Sequence, residues 1–111
     1  MGFECDTSGQ HGIFAVVRAV GEIDLAAAPI LDKALQAVVG SGRVAIVVDL
    51  TAVTFVDSSG LGVLVKHFKQ ATSAGGQLRL VVTQRAVRQV LELTGLHEVF
   101  AIYDDLEAAW Q

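Results

Sequence analysis

Cysteine, proline, methionine, tryptophan and tyrosine each occur only once in this chain. The lone cysteine, Cys5, excludes an internal disulfide, and it cannot by itself build a cysteine-based metal site. Such sparse cysteine usage fits a reducing compartment, so a cytoplasmic location is expected. His11, His67 and His97 have no ligand spacing, and neither a metal nor a cofactor is expected. Basic residues are also scarce, with eight Lys and Arg against twelve Asp and Glu, a formal charge of −4. They form no stripe that could track a phosphate backbone, which disfavours nucleic acid as a partner. No apolar run approaches the ~18 residues of a membrane span. The first residues carry no basic stretch leading into an apolar one, so neither direct membrane insertion nor a secretory signal is expected. Met1-Gly2 does not complete a myristoylation motif, because Asp6 stands where Ser or Thr is required.

What is present points to a packed domain. Hydrophobic residues make up 52% of the 111 and charged residues 18%, a balance that can bury a core rather than stay disordered. A single domain over 1–111 is expected, with no repeat and no linker.

The apolar spacing alternates between strand-like and helix-like segments. Phe3–Thr7 and Ile13–Val20 read as strands of a hairpin, with a turn over Ser8–Gly12. After Gly21-Glu22-Ile23-Asp24, Pro29 suits the first turn of a helix. Ile30, Leu31, Ala34, Leu35, Val38 and Val39 line one face of that helix, which Gly40-Ser41-Gly42 ends. Arg43–Leu50 holds a continuous apolar run typical of a strand covered on both faces, with Asp49 and Thr51 at its exit. A second helix follows to Ser73, then a strand over Leu78–Val82. A third helix presents Ala86, Val87, Val90 and Leu91 and stops at Gly95. A last strand over Val99–Tyr103 leads into a short helix opened by Asp104-Asp105 and carrying Trp110. Strands alternating with helices imply an α/β fold with crossover connections.

The stretch Val53–Leu64 is the hinge of this pattern. It begins extended, breaks at Asp57-Ser58-Ser59, and continues with Leu61, Leu64, Val65 and Phe68 at helical spacing. Asp57, Ser58 and Ser59 therefore fall at a helix entrance, where short oxygen-bearing side chains accept from unpaired backbone N–H groups. A serine there lies beside a positive helix end and is suited to carry an anion, which marks Ser58 as a switch. Capping alone would need only one such residue. Gly60 and Gly62, each costing ~1 kcal/mol inside a helix, suggest a surface that another backbone approaches closely.

Competing chemistries fail on particular residues. A nucleophile elbow requires Gly two positions before the serine, where Val56 or Asp57 stands. His67 is expected on the polar or boundary side of its helix and His97 in a turn, so neither serves as a supported base. Gly60-Leu61-Gly62 lacks the third glycine of a dinucleotide fingerprint, with Val65 in its place. Asp24, Asp49 and Asp57 do not form the paired acids of a phosphorylated receiver and read as solvated loop carboxylates.

Asp57-Ser58-Ser59-Gly60-Leu61-Gly62, preceded by Val48-Asp49-Leu50-Thr51 and Val53-Thr54-Phe55-Val56, closely resembles the signature of STAS-domain anti-sigma factor antagonists. Gly21-Glu22-Ile23-Asp24 matches that family's second landmark, and the likeness runs through Gly95-Leu96 to Phe100–Tyr103. The resemblance implies an STAS-type mixed, largely parallel β-sheet flanked by α-helices, in a protein that binds rather than catalyses. The implied partner is an anti-sigma factor serine kinase of the histidine-kinase-like ATPase fold, sequestered by the unphosphorylated antagonist so that the sigma factor is released. Phosphorylation at Ser58 would silence the antagonist, and a metal-dependent serine phosphatase would restore it. The docking face would comprise Gly21, Glu22, Asp24, Asp57, Ser58, Ser59, Gly60, Leu61 and Gly62. Where many relatives carry Thr, this chain has Ala26-Ala27-Ala28, which bears on partner identity. A STAS subunit of an ABC-type lipid transporter, or a scaffold of a stress-sensing complex, would keep the fold without the phosphorylation switch.

Overall fold

A computed structural model describes residues 2–110. The elements run β1 (Glu4–His11), β2 (Phe14–Ile23), α1 (Ala28–Gly40), β3 (Ala45–Val56), α2 (Ser58–Ser73), β4 (Gln77–Val81) and α3 (Arg85–Leu93). A 3-10 turn (Leu96–Glu98), β5 (Ala101–Tyr103) and α4 (Leu106–Ala109) complete the fold. The strands lie in one sheet in chain order; β1 is antiparallel to β2 and every later pair is parallel. Crossovers of one hand that always step to the next strand must stack their helices on one face. The packing agrees, since α1, α2 and α3 share a buried cluster with Val17, Ile46, Val48, Leu50 and Leu80. Among the described residues, the opposite face carries only α4, whose Ala109 packs with Phe14, Val47 and Val81. Trp110, beside it, stacks on His11 with ring centroids 4.2 Å apart. The expected α/β class and its mixed, largely parallel sheet are what the structure has.

Several boundaries differ from the reading of the sequence, each for a physical reason. The hairpin turn is only Gly12-Ile13, because β1 absorbs Ser8 and Gly9 in an irregular register. There the Asp6 carboxylate accepts from the Ser8 amide at 2.8 Å and from its hydroxyl at 2.6 Å. β3 does not end at Leu50 but runs to Val56. Asp49 is 2% exposed rather than a solvated loop group. Arg18 on the neighbouring strand lies 3.7 Å from its carboxylate, and the Thr51 amide donates to it at 3.0 Å. Ala86, expected on the inner face of α3, is exposed.

His67 departs furthest from its expected place. It is fully buried between α1 and α2, with Nε2 2.6 Å from Asp32 Oδ1 and, among the described residues, no partner at Nδ1. Lys66 Nζ reaches the same carboxylate at 3.0 Å, and Gln36 donates to its other oxygen at 3.1 Å. The His67 bond, reinforced by Lys66, holds the Asp32 carboxyl below its ordinary range. A lowered folded value means stabilisation that is complete above the ~3.9 of an unfolded aspartate. It is lost as pH falls through the folded value. Asp32→Asn is therefore expected to cost about 1–3 kcal/mol at pH 7, the scale of hydrogen bonds to a charged group. Urea melts of both proteins between pH 7 and pH 3 should show the difference shrinking with acid; a gap that widens would contradict this account.

Gly76 marks the tightest backbone approach before β4. A Cβ there would stand 2.2 Å from the Val44 carbonyl oxygen, which is also the acceptor of the Gln77 amide at 2.9 Å. Backbone cannot yield as a flexible side chain can, so Gly76→Ala is expected to destabilise by about 1–3 kcal/mol in a denaturant melt.

Candidate functional site

The entrance of α2 is built by Asp57. Its extended backbone (φ −108°, ψ −174°) is that of an N-cap, and its carboxylate accepts from the Ser59 and Gly60 amides at 2.9 and 3.3 Å. The Ser59 hydroxyl donates to the same oxygen. That hydroxyl, with the Gly60 and Ser59 amides, keeps the Asp57 carboxyl below the ordinary carboxylate range, against a smaller desolvation effect. Asp57 is thus an anion already seated on the positive end of the helix.

The Gly21–Asp24 landmark lies beside it. Glu22 pairs with Phe55 and Ile23 with Val56 along the parallel β2–β3 ladder. The Asp57 amide then donates to the Ile23 carbonyl at 3.1 Å, tying the two segments at one end of the sheet. Gly21 takes φ +114°, a conformation L side chains rarely adopt, at a register irregularity that turns the strand end. Glu22 is exposed. Asp24 instead serves the turn into α1, its carboxylate accepting from the Ala27 amide at 2.9 Å. Next to these residues opens a groove of about 950 Å³, lined by Phe3, Gly21, Glu22, Asp24, Ile30 and Thr54 among others. Leu25 and Phe55 also expose apolar surface in this part of the chain, at 76% and 44%.

The nine residues expected to form a docking face therefore divide in two. Ser58, Gly62 and Glu22 are exposed, and Ser59, Asp57, Gly21 and Asp24 are partly so. Gly60 and Leu61 are buried. A Cβ on Gly60 would stand 2.4 Å from Ile23 Cγ2 and 2.9 Å from Val56 Cγ2, so the missing side chain admits the protein's own strand ends. Leu61 is 7% exposed and belongs to the core. In the free protein both residues seat α2 against the strand ends and the core. Gly62 has nothing within 4 Å of a Cβ, leaving open surface there. Ala27 and Ala28 are buried as well, so only Ala26 of the alanine stretch faces solvent. Reasoning from sequence missed Phe55 and Leu25, whose exposure follows from their place at strand and turn ends.

Ser58 is thus an exposed serine at the mouth of a capped helix, beside a strand end and an open groove. Residues 4–109 match the STAS domain, and the chain belongs to that family. It is 35% identical over 106 residues to the anti-sigma-F factor antagonist RsfB of Mycobacterium tuberculosis, covering 93% of this chain and 84% of that protein. It is 34% identical over 86 residues to the anti-sigma-B factor antagonist of Bacillus subtilis, covering 78% of each. The crystal structure of an anti-sigma factor antagonist from Mycobacterium paratuberculosis superposes with a TM-score of 0.90 at 34% identity, covering 98% of this chain and 92% of that one. These relatives are regulatory binding proteins rather than enzymes. Among the described residues, no helix is long and apolar enough to cross a membrane.

Proposed function

We propose that this protein is an anti-sigma factor antagonist whose unphosphorylated form binds an anti-sigma factor serine kinase, freeing a sigma factor in the cytoplasm. Phosphorylation of Ser58 switches it off, and a serine phosphatase resets it. The observation that carries the reading is the state of Ser58: it is exposed at the first turn of α2, and no described residue hydrogen-bonds its hydroxyl. Phosphate there adds about −1.5 to −2 charge at pH 7, next to the Asp57 carboxylate. The helix N-terminus can accept that charge without a change of fold, so the effect falls on the partner. Glu22 and Gly62, which are exposed, and Asp57, which is partly so, form the surroundings that a docked kinase would meet.

Wild type, Ser58→Ala and protein with phosphoserine at 58 would each be used to capture partners from the source cell's lysate, with bound proteins identified by mass spectrometry. An ATPase-fold kinase held by the first two and lost by the third supports the reading. Equal retention of one partner by all three would reject the switch and leave Ser58 a first-turn helix residue.

A further inference from the structure

We infer that Ser59 is a positioning residue that makes Ser58 the only usable phosphate acceptor of the pair, because the Ser59 hydroxyl is committed to the Asp57 carboxylate. The inference rests on the proposed Ser58 switch and deepens it. Both serines lie at the same helix entrance, so side-chain chemistry alone does not say why one of them should be excluded. The structure does. Ser59 is partly buried, and both its amide and its hydroxyl donate to Asp57 Oδ1, the oxygen that also accepts from the Gly60 amide. Ser58 is exposed with an unengaged hydroxyl.

Transfer from a nucleoside triphosphate breaks the bond between the γ-phosphorus and its bridging oxygen, releasing the diphosphate. A new Oγ–P bond forms, and the hydroxyl proton passes to solvent. At Ser58 that proton holds nothing. At Ser59 it is the proton that binds Asp57, and the product would set a dianion against the capping carboxylate. Two like charges at hydrogen-bond distance cannot both keep their places, so the cap would open. The Ser59 hydroxyl is also the foremost cause of the low Asp57 titration, so the two groups are coupled in the unmodified protein as well.

The test uses the full chain with phosphoserine incorporated at 58 or at 59, together with Ser59→Ala and Ser59→Thr. Phosphoserine at 58 is expected to leave the melting temperature within about 2 °C and to keep the Ser59 and Gly60 amides protected from hydrogen exchange. At 59 it should lower the melting temperature by about 5 °C or more and remove that protection. By NMR, the Asp57 carboxyl should titrate higher in Ser59→Ala and return to its low value in Ser59→Thr. Equal tolerance of phosphate at both positions, or an Asp57 titration unmoved in Ser59→Ala, would overturn the inference. None of these readouts involves a partner, so a Ser58 switch that failed in the capture experiment would leave them intact.

Discussion

Phosphoserine at position 58 is expected to weaken binding of the captured kinase by ~10,000-fold, the differential needed to move a partner from 99% bound to 1% bound. That factor corresponds to about 5.5 kcal/mol, more than a remote surface charge can supply at physiological salt, where screening sets in over ~8 Å. It is within reach of a local blockade. The Ser58 side chain is exposed at the helix mouth, so a phosphate there occupies space that a docked surface would need. It also stands beside Asp57, whose carboxylate the cap holds in its charged form. Titration calorimetry of unmodified and phosphorylated protein against that kinase measures the ratio directly. Raising the salt should recover only part of the loss, since screening relieves repulsion but not overlap. A ratio under tenfold would mean that Ser58 lies outside the contact. Ser58→Ala, which adds neither bulk nor charge, should bind as wild type does.

The two glycines of α2 are expected to answer substitution with opposite signs. Gly60→Ala places a Cβ against Ile23 Cγ2 and Val56 Cγ2, methyls of stiff, β-branched side chains in the core. Overpacking of this kind costs about 1–3 kcal/mol, which outweighs the helix propensity gained. Gly62→Ala meets open space and should stabilise by about 0.5–1 kcal/mol, because alanine loses less backbone freedom than glycine in a helix. Denaturant melts decide both. Kinase binding separates the roles further: if Gly62 is a point of close contact, Gly62→Ala loses affinity while gaining stability. A Gly62→Ala protein that is more stable and binds normally would remove Gly62 from the docking face. A Gly60→Ala protein as stable as wild type would show that Ile23 and Val56 yield, contrary to their packing.

Much of the site was legible in the sequence because its signals are local. Asp57 opens a helix, Pro29 sits in the first turn of another, and Asp105 caps the last, its carboxylate accepting from the Ala108 amide at 2.7 Å. Each is a relation among residues within one turn, and spacing reports it directly. The errors arose where a residue's partner lies far along the chain. Asp49 resembled a loop carboxylate until Arg18 on the next strand was brought beside it. The small residues after Ser59 suggested an approaching partner, whereas at Gly60 the approaching atoms belong to Ile23, across the sheet end.

The sequence by itself determined the kinds of element, their order, the helix entrance at Asp57–Ser59 and the STAS signature, because periodicity and capping act within a few residues. Only the tertiary structure decided what those elements turn toward each other. It buried His67 against Asp32, joined the Gly21–Asp24 landmark to α2 through the Asp57 amide, and assigned Gly60 and Leu61 to the core and Ser58 to the surface. The physical reason is that side-chain spacing specifies a face, while the identity of the facing atoms depends on strand register and helix crossing, which the whole chain settles together.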